Sequence, residues 1–587
     1  MALKKKILIA AAAVLALLAA AAVIVFVVAK SFVGQESEVR SVWTVDVGEM
    51  LGRDETLEVE LCEAAVESDL TVIQFVPFEL SEEGFTYYDT AVQDRLAQSL
   101  DQAKTAPDRD WTADAPLAVL NPFGTGSNGL YLYFETDFPT QVSYTIHVED
   151  SSIPDYTATA ANADGQEYSQ VHEFQMIGLV PGQTNVVTMT MTGFWGNVRQ
   201  QVTFTITMPE AHSGYPTQLS YTDGDSTAQL SDGLFAMMRT NGYLGYAFFF
   251  DNSGVMRYEM VLEGYGLDRI VMDDGDMITC VSSRKLARIN ALGQVEQVYE
   301  LGEYELHHDI NDSRDGTLVA LVDKDGNDSI EDVVIEVDLD TGAVTELLDF
   351  SQLMSDYKEN ETHPVPITGD FFWQAGEWDW LHLNTVQYIE EEDSLIVSSR
   401  ETSTIIKVEQ VHSSPSIAWL AGDPAFWEGT GYEDLCLTPE GDFVFQYGQH
   451  SVEYAGAGDE DGVYYISLYN NNYWSNSTRD YEPQLDDSVG TGFYNDGDDL
   501  SWVYVYKIDE NAGTFSLESS FSVPYSSIVS NAAPAGEDGN WVVNSGVANV
   551  FGEYDSQGDL IREFSYTCTM QGYRTFKPDL TGFWFQS

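Results

Sequence analysis

Two hydrophobic rhythms run along the chain. From Thr90 to Ala106 the apolar residues Val92, Leu96, Leu100 and Ala103 recur every three or four positions, which predicts a helix with one buried stripe. That stripe suits packing on a neighbouring domain rather than chemistry. Elsewhere the rhythm is two. Between Pro116 and Pro209 the runs LYLYFET, QVSYTIHVED, NVVTMTMTGF and RQQVTFTITM alternate, are rich in Thr, Val and Tyr, and are separated by turns such as Pro181–Gly182. They predict a small β-sandwich of immunoglobulin or fibronectin type. His172, just before the GLVPG turn, is expected to be structural.

From about Leu230 onward a longer phrase recurs: an Asp-Gly, Asn-Gly or Ser-Gly turn, a strand, a variable loop, a strand, then Asp-x-x-Gly and another strand. Six such units follow one another at roughly the 40–50-residue spacing of propeller blades. The fold class predicted is therefore all-β: a six-bladed β-propeller over residues 213–587 behind a β-sandwich over 111–212. A mixed extension with a short helix, 36–110, and an N-terminal segment, 1–35, precede them.

In that first segment Lys4, Lys5 and Lys6 lead into an uncharged apolar run, Ile7 to Ala29, closed by Lys30. It reaches the roughly 20 residues a helix needs to cross a bilayer, and exceeds the about 7–15 of a signal-peptide core. The expectation is an uncleaved transmembrane anchor at the cell membrane, with the bulk of the chain extracellular. A cleaved signal and a secreted protein is the alternative.

Charge narrows the partners. The chain carries 26 basic and 95 acidic residues, a net −69, with 44% hydrophobic and 12% aromatic content. That composition belongs to a folded, acidic protein rather than a disordered one, and its field repels nucleic acid and anionic lipid. Any anion site must be locally basic. The four cysteines, Cys62, Cys280, Cys436 and Cys568, are far apart and form no CxxC, against a zinc or iron–sulfur centre; disulfide pairing stays open. No GxxxxGK[ST] is present. Asp323–Glu331, DKDGNDSIE, has a calcium-loop rhythm but carries Asp328 where an EF-hand needs Gly and Val334 where it needs an acid, so it reads as an acidic turn. No metal or other cofactor is expected.

Candidate chemistry gathers in three stretches: ELHHDI (305–310), WLHLNTVQYIEEEDSLIVSSR (380–400) and FVFQYGQHSVEY (443–454). Strand alternation would put His382 and Asn384 on one face, with Arg400 at the end of the next strand. An imidazole, an amide and a guanidinium suit an anionic, oxygen-rich group. Innermost strands of successive blades would bring His307 or His308, His382 and His450 to one channel mouth. His307-x-Asp309 parallels His382-x-Asn384, which favours His307 and adds Asp309 to the substrate-binding set, although HHD also fits one inward and one outward histidine.

In that order, HHDI, WLHLNT…SLIVSSR and GQHS resemble the PAPS-independent bacterial arylsulfate sulfotransferases. NVFGEYDSQGDLIREF…YRTFKPDL (549–580) is similar to that family's end, and PLAVLNPFGTG…GLVPGQTNVV (116–187) to its small β-domain. The resemblance implies sulfuryl transfer from a phenolic sulfate ester to a phenol, with His450 as the nucleophile that becomes a sulfohistidine. Arg400, Asn384 and His382 would stabilise the charge on the moving group, and His307 or His308 would exchange a proton with the phenol. Whether the chain forms a homodimer is left open. The alternative from another class is a non-catalytic cell-surface propeller binding a ligand at the same mouth. Phosphoryl transfer would normally call for metal carboxylates beside the histidines, and no clear set is visible in the sequence.

Overall fold

The structure, a computed structural model, describes residues 41–45 and 59–586, except 77–85, 108, 242–243, 265–266, 315, 362–377, 477, 480, 491, 496 and 568–571. The run Ile7–Ala29 and Cys568 lie outside the described residues. Among the described residues no helix is long and apolar enough to cross a membrane, and Cys62, Cys280 and Cys436 are free thiols.

Among the described residues six sheets of four or five strands form the propeller, antiparallel except where Thr438–Glu440 pairs in parallel with Thr514–Pro524. Their central strands read as short β-branched runs, such as Val333–Asp338 and Ser394–Ser399, because both faces are covered by neighbouring blades. The second to sixth blades start, nearest the axis, with Ile270–Asp273, Tyr304–Asp312, Leu383–Ile389, His450–Ala457 and Asn531–Ala535. The first blade, Phe235–Asn241, Leu244–Phe250 and Met256–Leu262, takes its innermost strand, Thr575–Phe576, from the end of the chain. The sixth in turn takes its outermost strand, Ser220–Asp223, from before the first blade. The ring is thus closed at both edges of one seam.

Side chains lace the innermost strands together. Asp309 Oδ2 accepts from Val386 N at 3.1 Å, Thr385 Oγ1 from Val452 N at 3.2 Å, and the Asn384 amide donates to Gln449 O at 2.8 Å. Asn531 pairs in both directions with the Thr575 backbone, at 2.9 and 3.0 Å. All these side chains are buried.

Three successive innermost strands share one irregularity. The ladder slips between Leu306 and Ile310, between Leu383 and Thr385, and between His450 and Glu453. Within or beside each slip one residue is left-handed: His308 at φ 54°, His382 at 52°, Ser451 at 53°. Such bulges re-aim side chains and cost about 1–3 kcal/mol each when the left-handed residue is not glycine.

The N-terminal strands form a nine-stranded sheet system. Two sequence readings change here. LYLYFET and QVSYTIHVED are one strand, Leu130–Val148. Asp137–Pro139 looked like a break, and Pro139, which has no N–H to donate, falls where the ladder with Ser169–Met176 skips from Glu135 to Thr140. The 36–110 stretch is also not separate: Val72–Phe75 pairs in parallel with Leu117–Leu120 and carries Val59–Glu63 and Ser41–Val45 into the same sheet. The helix spans Thr90–Lys104, capped by Asp89, with Val92, Leu96, Leu100 and Ala103 buried. It touches the second blade, where Gln93 Oε1 accepts from Val295 N at 3.2 Å.

The seam of the ring rests on a buried ion pair. Lys577 Nζ donates to Ser231 O at 2.6 Å, Asn252 Oδ1 at 2.9 Å and Glu553 Oε2 at 2.9 Å, and the Lys577 and Glu553 side chains are 4% and 0% exposed. Removing one partner of such a pair leaves a buried charge uncompensated. Lys577→Met is expected to destabilise the protein by about 3–5 kcal/mol, measured as a lower denaturant midpoint; an unchanged midpoint would show that the seam does not depend on it.

Candidate active site

His308, His382, His450 and Tyr573 meet at the axis. Ring centroids lie 4.8 Å apart for His308–His382, 6.5 Å for His308–His450 and 6.5 Å for His382–His450. Tyr573 stands edge-on to His308 and His450 at 5.6 and 5.8 Å. The third, fourth and fifth blades supply the histidines, and the C-terminal return of the chain supplies the tyrosine. The bulges make the convergence possible, since regular strands would alternate the rings away from one another.

His450 is held in one tautomer. Its Nδ1 lies 3.0 Å from Gly448 O and 2.8 Å from Asn471 Oδ1. Asn471 is oriented by its own amide nitrogen, which donates to Ser526 O and Val529 O at 2.8 and 2.9 Å, so its oxygen faces the imidazole. Two acceptors at Nδ1 put the proton there and leave the lone pair on Nε2. Burial, then the charges of His382 and Arg400, hold the His450 pKa well below its ordinary value, so the ring is neutral at pH 7.

His382 is the opposite case. Its Nδ1 is 2.6 Å from Asp379 Oδ2 and 2.6 Å from Glu331 Oε2. Burial alone would favour the neutral ring, but the two carboxylates outweigh it and raise the pKa to about 10. The site therefore pairs a neutral imidazole with an imidazolium.

Several sequence expectations are revised by this geometry. His308, not His307, joins the cluster; the left-handed His308 breaks the alternation on which the parallel with His382-x-Asn384 rested. His307 sits behind it, Nδ1 to Nδ1 at 3.0 Å, and burial with the nearby His382 lowers its pKa to about 3. Asp309, expected to touch substrate, is wholly buried between Arg574 at 3.3 Å and Arg269 at 3.6 Å. Asn384 commits its amide nitrogen to the Gln449 carbonyl, one residue before His450. Arg400 is buried beside Glu401 at 3.5 Å, and its backbone N–H donates to His382 O at 3.1 Å.

Five residues of the site escaped the sequence reading. Tyr573 donates to Asn384 O at 2.8 Å, and Arg574 donates to the His308 carbonyl while stacking on the Tyr573 ring. Both stand in the YRTFKPDL stretch. Glu331 ends the DKDGNDSIE run set aside as a plain acidic turn; it is left-handed at φ 57° and turns inward. Asp379 comes three residues before His382. Asn471 lies in an Asn triplet that carries no signal of its own.

Glu331, Asp379 and His382 are grouped closely enough to be considered for a metal ion, as are His307, His308 and Glu331. Two ligands about 2.05 Å from a tetrahedral ion stand roughly 3.3 Å apart. The 2.6 Å contacts at His382 Nδ1 are shorter than that, and are a hydrogen bond to Asp379 and an ion pair with Glu331.

The model of the family described as Arylsulfotransferase (ASST) matches residues 221–574, well over half of the chain. The chain belongs to the arylsulfotransferase family. Its sandwich matches a second model, Arylsulfotransferase Ig-like domain, over residues 117–209. Membership makes the protein a PAPS-independent aryl sulfotransferase acting between a phenolic sulfate donor and a phenol acceptor. No curated protein matches the chain. Among solved structures it is similar to a putative 6-phosphogluconolactonase from Bacteroides fragilis, at 10% identity over 75% of this chain and 98% of that one, with a TM-score of 0.33. The periplasmic gluconolactonase of Pseudomonas aeruginosa matches at 9% identity over 75% and 98%, with a TM-score of 0.30. Likeness at these values carries nothing about the arylsulfotransferase site.

The two adjacent histidines are expected to separate in turnover of a phenolic sulfate. His308→Ala, which opens the centre of the ring cluster, should cost about 10²-fold or more in kcat/KM, the range of a lost acid–base or donor group. His307→Ala should cost under about tenfold. Equal losses would place His307 in the site as well.

Proposed function

We propose that transfer proceeds by two displacements through a sulfohistidine at His450. The observation that carries this reading is the tautomer of His450, a neutral buried imidazole with its Nδ1 proton engaged and its Nε2 lone pair free to attack. In the first step Nε2 bonds to sulfur, the sulfur–oxygen bond to the aryl group breaks, and the phenol oxygen leaves with the electron pair. In the second, an acceptor phenol oxygen bonds to sulfur, the sulfur–nitrogen bond breaks, and Nε2 recovers its lone pair. The leaving oxygen needs a proton and the acceptor must lose one. The His382 imidazolium supplies the first and takes back the second, and a pKa near 10 matches that of a phenol, which favours transfer in both directions. Arg400 and His308 are the donors assigned to the three sulfuryl oxygens, where charge spreads in transit. Asn384 keeps the Gln449–His450 backbone in place.

Intact-mass analysis after mixing with donor alone should show one added sulfuryl group, mapped to His450 and absent from His450→Ala, which should also be inactive. A label elsewhere, or an active His450→Ala, would sink the mechanism in favour of a ligand-binding propeller. Arg400→Ala should keep the nucleophile and lose about 10²–10³ in rate.

Asn471 tests the tautomer. Asn471→Ala removes one of the two acceptors at Nδ1 and should slow formation of the sulfated enzyme about 10–100-fold, the usual cost of losing a partner that orients an imidazole. Asn471→Asp, which keeps an acceptor in that place, should recover part of the rate; no recovery would argue that the amide matters only for packing.

A further inference from the structure

We propose that Glu331 and Asp379 are positioning residues whose two carboxylates grip one nitrogen of His382 and keep that ring as the fixed cation of the site. The inference rests on the two-displacement reading and deepens it.

The geometry leaves few choices. Two carboxylate oxygens, Glu331 Oε2 and Asp379 Oδ2, each lie 2.6 Å from His382 Nδ1. A lone pair on Nδ1 would set three acceptors against one another in a buried space, so Nδ1 carries a proton, which it donates to Asp379 Oδ2, with Glu331 Oε2 as the second ion-pair oxygen. One carboxylate suffices to fix a tautomer. The second adds a negative charge that a neutral ring leaves uncompensated, and protonation of Nε2 compensates it. All three side chains are at least nine-tenths buried, so solvent does little of this work. Glu331 also reaches the other side of the cluster, with Oε1 3.9 Å from His308 Nδ1.

The groups facing His382 come from every neighbouring element. Asp379 precedes it on its own segment. Glu331 and Asp323 come from the turn region of the third blade, linked by Glu331 N donating to Asp323 Oδ1 at 2.7 Å. His307 and His308 face it from the third innermost strand, His450 from the fifth, Arg400 from the end of the next strand in its own blade, and Tyr573 and Arg574 from the C-terminal return. The arginines are already engaged: Arg574 and Arg269 with Asp309, and Arg400 with Glu401. His382 is thus the cation that answers Glu331 and Asp379. Burial pushes the Glu331 carboxyl up, the His382 charge pulls it down and the Asp379 charge raises it again, while burial raises that of Asp323 to about 6.

The consequence is specific to the leaving group. A donor whose phenol is a weak acid needs the His382 proton as its bond to sulfur breaks; 4-nitrophenolate, a stable anion, hardly does. The test compares wild type, Glu331→Gln and Asp379→Asn on phenyl sulfate and 4-nitrophenyl sulfate across pH. Either variant should lose about 10²-fold or more in kcat with phenyl sulfate and under about tenfold with 4-nitrophenyl sulfate. The alkaline limb of the phenyl sulfate profile, set near pH 10 by loss of the His382 proton, should move at least one unit toward neutrality. Two variants are used because Glu331 is left-handed and buried, and thermal melts identify one that fails to fold. An equal loss on both donors, or an unmoved alkaline limb, would overturn the proposal. So would one bound metal ion per chain by elemental analysis, with activity lost on chelation, because the ion would then replace the proton on Nδ1. Mass analysis of His450 in the same preparations separates the readings: no sulfated His450 in wild type refutes the two-displacement mechanism, while a normal adduct without leaving-group dependence refutes only the role of the carboxylates.

Discussion

The innermost strands of a propeller run past one another without pairing, and most of this protein's chemistry follows from that constraint. A backbone N–H or C=O buried at the axis still needs a partner. Here side chains supply it: Asp309 for Val386, Thr385 for Val452, Asn384 for Gln449 and Asn531 for Thr575. The axis is therefore polar by necessity. Once polar side chains are obligatory there, catalytic groups can be placed among them without cutting into a hydrophobic core. The bulges at His308, His382 and Ser451 then turn three strands so that their rings face one another.

The same economy governs charge. A chain with a net charge of −69 must accept an anionic donor. The site does not answer with a cluster of free cations. Its arginines lie against acids, Arg574 against Asp309 at 3.3 Å and Arg400 against Glu401 at 3.5 Å. These pairs join neighbouring elements, and the electrostatic contrast of the site lies between His382 and His450. Two imidazoles of the same intrinsic basicity are driven in opposite directions, one by a pair of carboxylates and one by burial beside cations.

The architecture was legible because it is written in local pattern: two-residue alternation, turn residues at regular intervals, and six repeats. His382, Arg400 and His450 were legible because an imidazole or guanidinium at a strand end is unusual in a β repeat. What failed was inference that relied on ideal strand geometry. Choosing between His307 and His308 needed the bulge, which depends on how three blades meet and leaves no mark in HHD. Asp309 and Asn384 have the chemistry of substrate ligands, and only the structure shows that Asp309 accepts from Val386 N and that Asn384 donates to Gln449 O. Glu331 was passed over because a carboxylate in a Gly-Asn-Asp turn is ordinarily a solvated one; its inward direction comes from a left-handed backbone that sequence does not announce. Tyr573 and Arg574 sit in a stretch noted for its resemblance alone, because ring closure carries them back to the axis from the far end of the chain.

That return has a consequence for how the protein is made. Tyr573, Arg574 and the strand Thr575–Phe576 are made after every other blade strand, yet they complete both the first blade and the pocket. Blades two to five can stack as they emerge, since each is local in sequence. The pocket cannot assemble before this return has been made. A nascent or prematurely terminated chain lacks the aromatic wall against His308 and His450 and the arginine beneath His308. The order of translation thus leaves the histidine cluster unfinished until the return has been made.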